Sequence, residues 1–370
     1  MLYYLFKYLQ TELGFHLGVF ITFRLAAAFF TSWLILVVFG RSFIARMQSR
    51  GLCESFESLG VDRRRIVAEQ KEGTPTMGGV LIGLAIFGSA LLWCRLDEPL
   101  VLCGLFVFAG CWSIGLRDDW VKRFDRQRHG ISTRTKLLLL GLVALGAGLF
   151  LMHVAWAEQR ERFLVLLLPF LKNANLPLLG MMGLPFLLLV VLTVSGSANA
   201  VNLADGMDGL AAGCLCIAGV ALTALCYVAG HAKFATYLYV LWVPGSGEVA
   251  ILLGALVGAT LGFLWFNTSP AQIFMGDVGS LSLGGLLGYA AVASRMELSL
   301  IVVGGVFVAE ALSVLIQVGS YKLRRKRVFL CAPIHHHFQK LEVPETKIVA
   351  RFWIVSILLA VLSVTMFKVR

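Results

Sequence analysis

Ten long apolar runs separated by short polar gaps constrain this chain more than any other feature. They lie near 16–40, 77–94, 99–116, 136–153, 184–201, 209–229, 249–266, 279–293, 298–321 and 350–367. A bilayer core of roughly 30 Å takes about 20 apolar residues in helix, so each run reads as a crossing or nearly one. Apolar residues make up 58% of the chain and charged ones 14%, against roughly 45–50% and about 25% in soluble domains. Only helices or closed barrels satisfy their backbone in lipid. The expected fold is an all-α polytopic membrane protein with about ten transmembrane helices in a single domain, residues 1–370.

The stretch 163–182 is apolar but carries Pro169, Lys172, Asn173, Asn175 and Pro177. It fits a small surface hairpin or re-entrant piece better than a span. Lys7 and Glu12 precede the run from Phe15 to Phe39, with no basic n-region, short apolar core and small-residue cleavage site. That run reads as a retained first span. Eight cysteines form no CxxC, and six of them lie within apolar runs, so they read as free core thiols.

A formal charge of +11 raises nucleic acid as a partner, but the basic residues sit in short gaps between apolar runs, which makes them topology signals instead. Gaps 41–76, 117–136 and 321–351 hold seven, seven and eight Lys and Arg, against nine in all the opposite-side segments together. The positive-inside rule then puts the basic gaps in the cytoplasm, both termini on the outer face and the 163–182 hairpin outside.

Polar strings with the residue types of acid–base and metal chemistry fall in the cytoplasmic gaps. Arg117-Asp118-Asp119-Trp120 follows directly on an apolar run. Helix-end charges balanced by neighbours are the plain reading. Adjacent like charges equally leave a carboxyl poised as a base or as a Mg²⁺ ligand. Asn202, Asp205 and Asp208 share a gap with two glycines and no Lys or Arg. An N-cap explains Asp208 but neither Asp205 nor Asn202, which suit a cation or a polar ligand. Asp277, in Gly-Asp-Val-Gly-Ser, is also readable as a cap. His335, His336 and His337 point in different directions on any backbone, so they suit phosphate or base recognition better than one zinc ion. Lys71 and Thr76, in K-E-G-T-P-T-M-G-G, resemble a phosphate-contacting loop in composition without being a Walker A sequence. Singly these strings are indecisive. All five nonetheless lie on one side under a topology assigned from other residues.

In this order, K-E-G-T-P-T-M-G-G, the Asp pair, N-L-A-D-G-M-D-G-L-A, F-M-G-D-V-G-S and P-I-H-H-H-F resemble the polyprenyl-phosphate N-acetylhexosamine-1-phosphate transferases along nearly the whole chain. The triple histidine and T-P-T-M-G-G favour the branch that transfers phospho-N-acetylmuramoyl-pentapeptide. The resemblance implies a phosphoglycosyl transferase acting between UDP-MurNAc-pentapeptide and undecaprenyl phosphate, releasing UMP and making lipid I for peptidoglycan. It implies Mg²⁺ as cofactor, a homodimer among membrane lipids, and a bacterial inner-membrane location with the site facing the cytoplasm. By position, Asp277 looks like the Mg²⁺ ligand and Asp118 and Asp119 like the catalytic pair. Lys71, Thr76, Asn202, Asp205, Asp208, Asn267, Phe274, Gln317, His335, His336 and His337 look like nucleotide-sugar contacts, and Lys122 and Lys136 like lysines near the phosphates.

Physical chemistry agrees with such a reaction. A lipid phosphate stays at the interface while its tail stays in hydrocarbon, so joining it to a soluble nucleotide sugar is work for the membrane edge. Direct attack by the lipid phosphate and a covalent aspartyl intermediate both remain open, with direct attack favoured because the second phosphate pKa lies near about 6. Two rivals stand beside this reading: a related transferase using UDP-GlcNAc, and a secondary transporter whose aspartates bind coupling ions. The absence of a visible internal repeat counts against the transporter.

Overall fold

The computed structural model describes residues 1–13, 16–53, 73–124, 130–157, 164–168, 175–178 and 183–366. Fourteen α-helices dominate them. In chain order they are α1 (Leu2–Leu13), α2 (Ile21–Ser49), α3 (Gly79–Trp93), α4 (Pro99–Phe124), α5 (Thr133–Ala157), α6 (Leu184–Ala204) and α7 (Leu210–Gly230). There follow α8 (Ala232–Tyr237), α9 (Ser246–Asn267), α10 (Gly276–Ser294), α11 (Glu297–Val303), α12 (Gly305–Arg324), α13 (Ile334–Lys340) and α14 (Glu345–Thr365).

Every expected apolar run falls on a helix, because an apolar segment in lipid has no other way to pair its backbone. Eight of the helices described are long and apolar enough to cross a membrane. The run 77–94 forms the shorter α3, and 279–293 forms α10, whose polar first turn lowers its hydropathy. The run 298–321 is not one helix: it breaks at Gly304 into α11 and α12. The amphipathic α1 was not anticipated. Within 163–182 two short antiparallel strands, β1 (Val165–Leu167) and β2 (Asn175–Pro177), pair with Leu166 opposite Leu176. All eight cysteines are free thiols.

Helices α9 and α10 form the centre and are buried almost all round. Helix α9 packs between α2 and α7, and α10 between α4 and α6. Small residues let these backbones approach. At Gly115 of α4 a side chain would collide with the Asp277 carbonyl, and at Gly79 of α3 one would collide with the Gly279 backbone. These two approaches press the end of α4 and the start of α3 onto the first turn of α10.

At the opposite end of the bundle a second polar cluster is buried. Arg24 of α2 pairs with Glu248 in the first turn of α9 through two contacts of 2.7 and 2.5 Å. Arg24 also donates to the Trp93 carbonyl, and its guanidinium stacks 4.6 Å from the Tyr3 ring of α1. In the adjoining loop Asp97 takes hydrogen bonds from Arg95 and from the Tyr4 hydroxyl. The Arg95 guanidinium holds the Asp97 carboxyl well below the usual carboxylate range.

Candidate active site

Asp118 and Asp119 lie between one and two turns from the end of α4, and Asp277 in the first turn of α10. Close packing at Gly115 brings them together, so that one oxygen from each of the three carboxylates lies within 4.8 Å of the others. Two lysines bind this cluster. Lys136, from the first turn of α5, donates to Asp118 Oδ2 at 2.7 Å and to Asp277 Oδ2 at 2.5 Å. Lys122, one turn beyond Asp118, lies 2.9 Å from the same two oxygens. Three carboxylates thus face two ammonium groups, and the all-oxygen donor set suits a hard divalent cation. The cluster is closed on the Asp118 side, which is fully buried, and open at Lys122, whose side chain is 43% exposed.

The adjacent aspartates are held differently. Asp119 accepts from the backbone N–H groups of Asp277 and Val278 at 3.2 and 3.1 Å. It therefore caps α10 from another helix, satisfying donors that the helix start leaves orphaned. Gly276, at φ +73°, turns the chain into α10 where a side chain would meet Asp119. Asp277 is accordingly not the cap of its own helix, and no side chain at Met275 takes that role. Asp118 accepts instead from Ile131 N–H at 2.6 Å and from the lysines.

Asn202, near the end of α6, extends the cluster by donating to Asp277 Oδ1 at 2.8 Å and to the Ser280 hydroxyl at 2.9 Å. Beyond it the loop to α7 forms an adjoining wall. The expectation that Asp208 caps α7 does not hold. Gly209, left-handed at φ +76°, occupies the N-cap, and the Asp208 carboxylate accepts from Ala271 N–H at 3.1 Å. A left-handed glycine can reverse the chain there at no steric cost, which frees the aspartate to brace the loop after α9. Asp205, half-buried, begins that loop just after α6. Asn267 is buried, accepting from Gly209 N–H and donating to the Ile273 carbonyl.

The glycine-rich segment before α3 packs against the same loop after α9. Phe274 N–H donates to Pro75, and Gly78 and Gly79 donate back to Phe274 and Met275, all at 2.9 Å. Thr76 and Phe274, both half-buried, are thus carried side by side near Asp277. Lys71 lies outside the described residues. The histidines sit on α13 and diverge as their spacing requires. His335 is buried against Glu310, His336 meets Gln339 at 2.9 Å, and His337 Nδ1 accepts from Leu330 N–H at 3.2 Å. Gln317 spends its amide on the backbone of Val328 and Phe329. Its place is therefore that of a clamp on the segment leading to α13.

Sequence reasoning missed Ser280, Glu310 and Glu345, whose carboxylate accepts from Asp208 N–H at 3.0 Å. Only Glu310 had a signal: it is the one acid inside the apolar run 298–321.

The chain is also similar to known proteins along its sequence. The family model described as glycosyl transferase family 4 covers residues 101–295, and a phospho-N-acetylmuramoyl-pentapeptide-transferase signature covers residues 71–82. Proteins named phospho-N-acetylmuramoyl-pentapeptide-transferase align along the whole of both chains. Those of Nitratidesulfovibrio vulgaris and Solidesulfovibrio magneticus are 46% identical, and that of Citrifermentans bemidjiense is 43% identical. With its aspartates, lysines and glycine-rich segment gathered at one end of the bundle, the chain belongs to the phospho-N-acetylmuramoyl-pentapeptide-transferase family of phosphoglycosyl transferases.

Proposed function

We propose that this chain transfers phospho-MurNAc-pentapeptide from UDP-MurNAc-pentapeptide to undecaprenyl phosphate, giving lipid I and UMP. The observation that carries the reading is the cluster of Asp118, Asp119 and Asp277 with Lys122 and Lys136. The chain forms one transferase domain in the bacterial inner membrane, with both termini outside, the site facing the cytoplasm and a homodimer as the working assembly. Lys and Arg counts in the gaps support the orientation, and the resemblance supports the assembly.

Asp277 and Asp118 would hold Mg²⁺ from two helices, with Asp119 fixing Asp277 by capping its helix. The chemistry a bound Mg²⁺ supplies is neutralisation of diphosphate charge, which helps UMP leave. Lys122 and Lys136 supply fixed positive charge beside it, and the exposed Lys122 marks the side from which phosphates arrive. Asn202, Asp205, Asp208, Thr76, Phe274 and His336 line the approach of the nucleotide sugar, with Lys71 placed there by its motif. Asn267, Gln317, His335 and His337 contribute by holding the loops that line it.

An oxygen of the lipid phosphate attacks the phosphorus bearing the sugar. One P–O bond forms, and the bond to UMP breaks with its electron pair leaving on UMP. A phosphate with a second pKa near about 6 is mostly dianionic at neutral pH, so this attack needs no strong base. Asp118 is buried and bound by three donors, which suits it to position Lys122 and Lys136 beside the incoming phosphate. Its burial argues against a covalent aspartyl intermediate.

Purified protein given undecaprenyl phosphate and Mg²⁺ should release UMP from UDP-MurNAc-pentapeptide and not from UDP-GlcNAc. Turnover with UDP-GlcNAc alone would overturn the assignment of substrate. Substrate flux into sealed vesicles with no UMP would overturn the reaction.

A further inference from the structure

Glu310 is the acidic residue least expected from its position. It lies in the second turn of α12, one of the helices able to cross a membrane, and is fully buried. An ionisable group in such a helix is costly and needs a partner. That partner is His335 of α13: Glu310 Oε2 lies 3.1 Å from His335 Nδ1, and the His335 backbone N–H points at the same oxygen from 3.5 Å. The contact ties α12 to the helix bearing the three histidines. Nδ1 approaches the carboxylate at ion-pair distance without hydrogen-bond geometry, and the backbone N–H makes the hydrogen bond, so the carboxylate holds His335 in place through both.

The other ring nitrogen faces the 205–209 loop. A Cβ on Gly206 would overlap His335 Nε2, so the ring lies directly on the glycine backbone. Among the described residues Nε2 has no hydrogen-bond partner, although His335 is only 1% exposed. Gly206 stands between Asp205 and Asp208, and the loop is braced at its far side by Glu345 on Asp208 N–H and by Trp353 on the Gly209 carbonyl. Glu310 and His335 form the brace at Gly206.

We propose that Glu310 is a positioning residue for the nucleotide-sugar site, holding the His335 ring beneath Gly206 and so setting the loop that carries Asp205 and Asp208 and follows Asn202 at the end of α6. This rests on the transferase reading above. Neither residue touches the three-aspartate cluster in any described contact, so the predicted consequence is in substrate binding and not in the chemical step.

The test is UMP release by the purified full-length enzyme at varied UDP-MurNAc-pentapeptide, with undecaprenyl phosphate and Mg²⁺ saturating. Glu310→Leu and His335→Ala should each raise KM about 10- to 100-fold, the scale of one lost charge-assisted hydrogen bond, with kcat within about threefold. Glu310→Gln keeps an acceptor beside His335 and should raise KM about threefold or less. Combining Glu310→Leu with His335→Ala should raise KM no further than the worse single change, because both act through one contact. Should Glu310→Leu be too unstable to purify, Glu310→Gln carries the same cycle, its effect vanishing beside His335→Ala. Unchanged KM with a loss only of heat-stable enzyme would overturn the proposal, as would single effects that multiply. Calorimetric affinity for the nucleotide sugar should follow the same ratios without turnover. Wild-type UMP release tests the reaction separately, so its failure is distinguishable from a failure of this proposal.

Discussion

The molecule buries charge at both ends of its bundle, and the two clusters are built differently. At one end Arg24 faces Glu248 one to one, with a bidentate fit, the Trp93 carbonyl accepting from Arg24 and the Arg95 N–H donating to Glu248. At the other end three carboxylates share two lysines, one of them partly exposed. A matched pair closes a structure. Buried charge on both sides of such a pair costs several kcal/mol to dehydrate and returns it only while both partners are present. A surplus of carboxylate instead leaves demand for another cation, and that demand separates the site from the strut.

The comparison breaks most visibly at Asp277. Asp277→Asn and Asp118→Asn should each lower UMP release roughly a thousandfold or more, since the charge that stabilises the leaving diphosphate goes with them. Each should lower the unfolding temperature only modestly, because Lys122 and Lys136 both keep the other aspartate as a partner. Retained turnover in Asp277→Asn would refute its metal role.

The strut should respond in the opposite sense. Glu248→Gln leaves the Arg24 guanidinium buried without its counter-charge, so stability should fall by about 3–5 kcal/mol while turnover per folded molecule is unchanged. The paired change Arg24→Met with Glu248→Leu should recover most of that loss, since a well-packed apolar pair often replaces a buried ion pair. Thermal unfolding followed beside UMP release separates the two effects. A strut variant that stayed folded but lost turnover would dissolve the distinction.

Asp119 sharpens it, because it belongs to the acidic cluster yet spends both oxygens on the start of α10. Asp119→Ala should cost about 1–2 kcal/mol in stability, the scale of a lost helix cap, and also lower turnover through Asp277. Asp119→Asn, which keeps one acceptor, should cost less in stability. The smallest effect is expected at Gln317. Gln317→Ala releases the backbone of Val328 and Phe329 and should cost about 1 kcal/mol, read as a small drop in unfolding temperature.

Much of the fold was legible because lipid leaves the backbone few choices. Each apolar run became helical, with 298–321 divided between two helices, and the described polar strings gathered at one end. What stayed hidden was set by contacts between segments distant in sequence. The break at Gly304 splits a run whose hydropathy is continuous. Helix α1 docks through its amino terminus on the Leu91 carbonyl and through Tyr4 on Asp97. Asp208 looked like a cap because a helix begins after it, but Gly209 took that position and turned the carboxylate toward Ala271. Asp119 was legible as chemistry and not as a cap, since the helix it caps begins more than 150 residues later. The resemblance named Asn267, Phe274 and Gln317 together. Two of these, Asn267 and Gln317, commit their amides to backbone, and nothing local in the sequence distinguishes that from ligand contact.

The measurement that bears most directly on the surplus-charge account is equilibrium binding of Mn²⁺, as a spectroscopic substitute for Mg²⁺, to purified protein without nucleotide sugar. Wild type and the Arg24→Met/Glu248→Leu protein should bind it alike, and Asp277→Asn should lose that binding. Mn²⁺ bound by Asp277→Asn as tightly as by wild type would contradict the account.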